Sequence, residues 1–179
     1  AIDDVVAAKP SDGTNEISID WTDAGDGTAA NITYTDTGTV TAASLNAANT
    51  ATEGDINANA AAMVSGTATH IDNVVAALAA DGTNVISIDV TDAGDGTAVN
   101  VTYSDTGTVA AASLNATNTA TEGDITATAA ATVSGNATNI DAVVAAKPGD
   151  GANVIALDWA DGGSDGAAVN LTYSDTGTV

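Results

Sequence analysis

Cysteine, arginine and phenylalanine are missing from these 179 residues, and histidine occurs once. Without thiols there is no disulfide framework and no thiolate metal site. Two lysines, Lys9 and Lys147, stand against 24 acidic residues and leave a formal net charge of −22. Nucleic acid and anionic membrane surfaces are bound by clustered Lys and Arg, so neither is an expected partner. No apolar run of about 18 residues occurs, so membrane insertion is not expected. No signal peptide is visible either; if the protein is exported, its targeting signal lies outside these residues. What remains is 44% hydrophobic, chiefly alanine and valine. That is too apolar and too patterned for a disordered chain. A core of such small side chains implies layers packed close together.

The dominant positive feature is a repeat of 69 residues. Ile2, Ile71 and Ile140 open near-identical stretches. Residues 2–70 and 71–139 are identical at 53 of 69 positions, so the two units must share one structure. A partial third unit covers 140–179. Self-similarity at a fixed period marks an array in which each unit buries its apolar face against the next. Neither end carries an atypical, polar cap. The expectation is therefore a segment of a longer array, or a subunit that adds head to tail, with copies of itself or adjacent repeats as partners.

In the middle unit Ile86, Ile88 and Val90 alternate with polar residues, as do Val99, Val101 and Tyr103. Both patterns predict half-buried strands. A third strand is predicted over 125–133, with Ala127, Ala129 and Ala131 facing inward against something that approaches closely. One helix is predicted from Val109 to Thr121, between Thr108 as cap and Gly123. Another begins at Thr138-Asn139-Ile140-Asp141, which resembles a capping box, and presents Ala137, Ile140, Val143 and Val144 on one face. The unit thus reads strand–strand–helix–strand–helix. Strand–helix–strand links favour parallel pairing, and the expected fold is an α/β, elongated solenoid. The short Thr91–Thr97 linker is of hairpin length and would reverse one strand; an all-β stack of repeats is the alternative.

Candidate chemistry centres on Asp92-Ala93-Gly94-Asp95-Gly96, copied with Asp23 and Asp26 in the first unit. The third unit has Asp161 and Asp165 in a loop one residue longer. Calcium takes six to eight oxygens, and glycine lets a loop turn its carbonyls inward, so these six aspartates are the candidate metal ligands. The same residues are also the preferred turn formers. Asp36-Thr37-Gly38, Asp105-Thr106-Gly107 and Asp175-Thr176-Gly177 match the triplet of aspartic proteases. That chemistry needs two facing carboxylates, whereas a row at the repeat spacing keeps them apart. They read as turns. His70 is matched by Asn139, so its position requires no imidazole. Trp21 and Trp159 align with Val90 and read as packing residues. Five Asn-x-Thr acceptor patterns begin at Asn31, Asn100, Asn115, Asn136 and Asn170. Thr126, Thr128 and Thr132 suggest an outward hydroxyl row. No cluster is unique to one copy, so an enzyme is not expected.

The run Thr102-Tyr103-Ser104-Asp105-Thr106-Gly107-Thr108-Val109, followed by Ala112-Ser113-Leu114-Asn115-Ala116, Ile125-Thr126-Ala127 and Val133-Ser134-Gly135-Asn136-Ala137, resembles tandem repeats in very large secreted or surface-attached proteins. Such repeats occur in marine bacteria and cyanobacteria, some of them in relatives of the repeats-in-toxin adhesins. The resemblance implies a surface layer, adhesin or extracellular fibre, with calcium a common ligand. The glycine-rich calcium nonapeptide of that family is absent as such, and Asp92-Ala93-Gly94-Asp95-Gly96 echoes it in part. The functional expectation is a structural repeat segment at the cell surface; a calcium-stabilised adhesin module for sugar or mineral is the alternative.

Overall fold

The computed structural model describes residues 2–7, 19–22, 29–78, 84–91, 98–147, 154–160 and 168–175. These residues form an α/β structure of parallel sheets and five helices. After α1 (Ile2–Ala7) the chain makes five successive passes. The first carries β1 (Ile32–Thr33), β2 (Thr39–Thr41) and α2 (Ala42–Ala51). The second carries β3 (Ile56–Asn57), β4 (Met63–Gly66) and α3 (Ala68–Leu78). The third holds β5 (Ile86–Ser87), β6 (Asn100–Tyr103), β7 (Thr108–Ala110) and α4 (Ala111–Ala120). The fourth holds β8 (Ile125–Thr126), β9 (Thr132–Gly135) and α5 (Ala137–Ala145). The fifth holds β10 (Ile155–Ala156) and β11 (Asn170–Tyr173).

Every strand pairing is parallel, and the strands sort into three sheets ordered β1-β3-β5, β10-β8-β6-β4-β2 and β11-β9-β7. Inward residues line up across each sheet. Ile32, Ile56 and Ile86 form one column. Val40, Val64, Val101, Ile125 and Ile155 form the second. Val109, Val133 and Leu171 form the third. The β-branched side chains suit this stacking because they fit a pleated, buried surface. The helices stand in one row, α1 through α5, each touching the next. They drive Leu45, Ile71, Leu114 and Ile140, all at most 1% exposed, into the space between row and sheets. Each such burial contributes roughly 2 kcal/mol.

The unit differs from the sequence expectation in three places. First, the stretch 125–133 is two strands and not one. Ala130 N–H donates to the Ala127 carbonyl at 3.1 Å, closing a turn that sends β8 and β9 into different sheets. The turn resets the alternation, so Ala127 and Ala130 are buried while Ala129 and Ala131 are exposed. A run of small residues gives the same alternation whether it is straight or bent. Second, Thr108 begins the strand β7 and is not a helix cap; α4 starts at Ala111 behind Ala110, which offers no side-chain cap. Third, α5 is capped by Asn136, whose side chain accepts from Asn139 N–H at 2.9 Å, so the expected capping box at Thr138 is displaced by two residues. On that helix Ile140 and Val143 are buried, whereas Val144 is 41% exposed.

Residues 92–97 of the linker of hairpin length lie outside the described residues. Across its ends Val99 N–H donates to the Asp89 carbonyl at 2.7 Å, and β5 and β6 belong to different sheets, in each of which the pairing is parallel. Close approach also has a cause. A Cβ on Gly66 would meet the Ala42 Cβ at 3.0 Å, and one on Gly135 would meet the Ala111 Cβ at 2.9 Å. The end of each of these strands lies against the start of a helix, where only small residues fit.

Candidate functional site

Side chains that recur in both complete units hold one pass to the next. Ser44 Oγ donates to Asp3 Oδ2 and Ser113 Oγ to Asp72 Oδ2, each at 2.8 Å, so α2 is tied to α1 and α4 to α3. Asn46 Nδ2 donates to the His70 carbonyl at 2.9 Å, and Asn115 Nδ2 to the Asn139 carbonyl at 3.0 Å. These bonds tie α2 to α3 and α4 to α5. Every helix contact in the row is therefore pinned by a polar bond on the rim of an apolar seam.

The sequence Thr-Glu-Gly-Asp, at 52–55 and 121–124, does the same for the strands. Thr52 Oγ1 donates to the Ala30 carbonyl at 2.7 Å, and Thr121 Oγ1 to the Val99 carbonyl at 2.9 Å. The same hydroxyls accept from Gly54 and Gly123 N–H at 3.0 Å. A Cβ on Gly54 would lie 2.4 Å from the Ala30 oxygen, and one on Gly123 only 2.1 Å from the Val99 oxygen. Glycine is required there by contact with backbone. Asn31 and Asn100 Oδ1 accept from Asp55 and Asp124 N–H, and those aspartates accept in turn from Val85 and Val154 N–H. Composition alone did not single out this motif; its presence in both complete units was the available signal.

The aspartates of the Asp-Thr-Gly triplets have a structural task. Asp105 Oδ2 accepts from Ala68 N–H and Asp175 Oδ2 from Ala137 N–H, both at 2.7 Å. Each carboxylate thus caps the first turn of the helix in the preceding pass, where N–H groups lack partners and the helix dipole favours negative charge. The triplets serve that helix, and Thr108 does not cap the helix that follows them.

Two tyrosines sit beside these carboxylates. Tyr34 OH donates to the Ser44 carbonyl at 3.0 Å. Tyr103 OH donates to the Ser113 carbonyl at 3.1 Å and shares a 2.6 Å bond with Thr117 Oγ1. Burial pushes the Tyr34 phenol up to about 12, and the negative charges of Asp3 and Asp36 add to the shift. Tyr103 is displaced further in the same direction, again first by burial, with Asp72 and Asp105 adding and the Thr117 bond opposing.

The six calcium candidates, Asp23, Asp26, Asp92, Asp95, Asp161 and Asp165, lie outside the described residues. Among the described residues no group of three or more His, Asp or Glu side chains is placed to hold a metal. No described helix is long and apolar enough to cross a membrane. The expected hydroxyl row is not one face: Thr126 belongs to β8, Thr128 to a turn and Thr132 to β9. Of the Asn-x-Thr positions, Asn115 and Asn170 have their amide nitrogens engaged by main-chain carbonyls.

Trp21 is buried at 7% exposure, and Trp159 is half-buried with the Lys147 ammonium 5.2 Å from its ring centroid. The corresponding pair in the middle unit is Leu78 and Val90, which line a small apolar void beneath α3. Cation–π contact in one unit is replaced by aliphatic contact in another. No protein-family model, curated protein or solved structure matches the chain.

Proposed function

We propose that this chain is a structural repeat segment of an extracellular surface protein or filament, an α/β solenoid that assembles by stacking repeat on repeat. The carrying observation is that the conspicuous polar bonds recur 69 residues apart and join neighbouring passes: Ser44–Asp3 with Ser113–Asp72, Thr52–Ala30 with Thr121–Val99. Catalysis concentrates unusual groups in one place. Here the repeated groups are used for docking, copy after copy. The acid-rich composition supports an exported role, since a net charge of −22 resists aggregation in salt-rich water where repulsion is screened over about 8 Å.

Small-angle scattering and negative-stain microscopy test the architecture. A chain lengthened by one 69-residue unit should grow along one axis at constant cross-section. Growth in all three dimensions would reject stacking. Antibody labelling of intact source cells tests the location, and a signal seen only after lysis would reject the surface assignment.

A further inference from the structure

Resting on the surface reading above, we propose that Asn100 is the acceptor of an asparagine-linked oligosaccharide, and that the same position is modified in each copy of the repeat. Five Asn-x-Thr patterns occur, and one set alone recurs in all three units: Asn31-Ile32-Thr33, Asn100-Val101-Thr102 and Asn170-Leu171-Thr172. The middle residue varies while the asparagine and the threonine stay. The patterns at Asn115 and Asn136 are lost in the first unit, where the matching residues are Asn46-Ala47-Ala48 and Thr67-Ala68-Thr69.

Asn100 stands at the start of β6, between β4 on one side and β8 on the other, so its exposure owes nothing to a chain end. Val101 and Tyr103 are buried, and Asn100 and Thr102 take the opposite face, as alternation along a strand requires. Asn100 Oδ1 accepts from Asp124 N–H at 2.8 Å, which fixes the side-chain amide. That bond leaves Nδ2 without a partner among the described residues. Thr102 Oγ1 donates to the Met63 sulfur at 3.4 Å, a weak bond to a poor acceptor.

Amide chemistry separates the positions further. A sugar on Nδ2 replaces one of its two hydrogens and leaves one N–H. Asn170 Nδ2 makes a single bond, to the Ala131 carbonyl at 3.3 Å, and can keep it. Asn115 Nδ2 makes two, to the carbonyl and to Oδ1 of Asn139, in the seam between α4 and α5. A sugar there would break one of them and wedge the helices apart. The strands at the three recurring asparagines, β1, β6 and β11, belong to three different sheets, so the attached sugars do not crowd one ladder.

Transfer takes place on the exported chain before β6 pairs, from a lipid-linked oligosaccharide diphosphate. The bond from Nδ2 to the sugar C1 forms and the bond from C1 to the diphosphate oxygen breaks. The lipid diphosphate leaves, and a base of the transferase takes the amide proton. Acceptance requires the hydroxyl two residues after the asparagine.

Mass spectrometry of the full chain purified from source cells tests the site. Cleavage after acidic residues separates Asn100 from Asn115, because Asp105 lies between them. Sugar mass is expected on the Asn100 peptide, with the Asn115 peptide bare. Thr102→Val, produced in the same cells, should leave Asn100 bare, and Thr102→Ser should keep the sugar. Occupancy is read on the denatured chain, so the result holds whether or not a variant folds. A bare Asn100, a sugar on Asn115 in its place, or an unchanged sugar in Thr102→Val would overturn the site. Antibody labelling of the same cells separates this from the wider reading. A bare Asn100 on protein labelled at the intact surface rejects the site alone, whereas labelling only after lysis rejects the surface assignment.

Discussion

The first and third passes carry the same helix, α2 and α4, on nearly the same sequence, yet they are secured differently. α2 begins behind Thr41, whose hydroxyl accepts from Ser44 N–H at 3.1 Å. α4 begins behind Ala110, which has no such group. Conversely, Tyr103 leans on the buried Thr117 hydroxyl, whereas Tyr34 faces Ala48 at the matching position and keeps its carbonyl partner alone. One copy spends a hydroxyl at the helix start, the other in the core. The lesson is that the two passes are equivalent in outline and interchangeable in detail, because a polar bond gained in one place offsets one lost in another.

Substitutions at the glycines that touch backbone should have the largest effect and test the equivalence itself. Gly123→Ala and Gly54→Ala should each cost about 3 kcal/mol in urea unfolding, the first at least as much as the second, because a Cβ there would overlap a carbonyl oxygen. A loss below about 1 kcal/mol in either would break the comparison. Next come the tyrosines. Tyr103→Phe should cost about 2 kcal/mol, because it strands the 1%-exposed Thr117 hydroxyl, and Tyr34→Phe only about 1 kcal/mol. Adding Thr117→Ala to Tyr103→Phe should recover part of the loss; a fully additive double variant would contradict the pairing.

Alkaline titration sharpens the same contrast. The folded Tyr34 phenol titrates at about 12, above its ordinary value near 10. The folded state therefore holds the proton longer than the unfolded chain. Its contribution is fully present below about pH 10 and is lost as pH rises through about 12. Tyr103 extends the loss in the same direction. Urea midpoints measured from pH 8 upward should fall above pH 10, and the fall should be shallower in Tyr34→Phe. The smallest effect is at the caps: Ala110→Thr should stabilise by about 1 kcal/mol and Thr41→Ala destabilise by a similar amount.

Much of this structure is legible in the residues themselves. The 69-residue spacing fixes which contacts must recur, and the alternating stretches at Ile86 and Val99 do begin or contain strands. The bend between β8 and β9 is not legible, since alanine on both sides of a corner keeps period two until a turn slips it. Thr108 failed as a cap for a related reason: a threonine before an alanine-rich helix suits a strand equally well, and only pairing with Thr132 decides the matter. Asp105 and Asp175 read as local turn residues because their partners, Ala68 and Ala137, lie 37 and 38 positions away. The bonds that define the candidate docking network are long-range, so a local pattern reveals only the residues and not their pairing.

The three sheets do not start and stop together. The ladder β1-β3-β5 ends in the third pass, where β7 begins the next, while the five-stranded ladder runs through all five. As in brickwork laid with overlapping joints, no crack between two neighbouring courses meets a gap on every side. Parting any two neighbouring passes along the described part must cut two hydrogen-bonded ladders at once, never a single one.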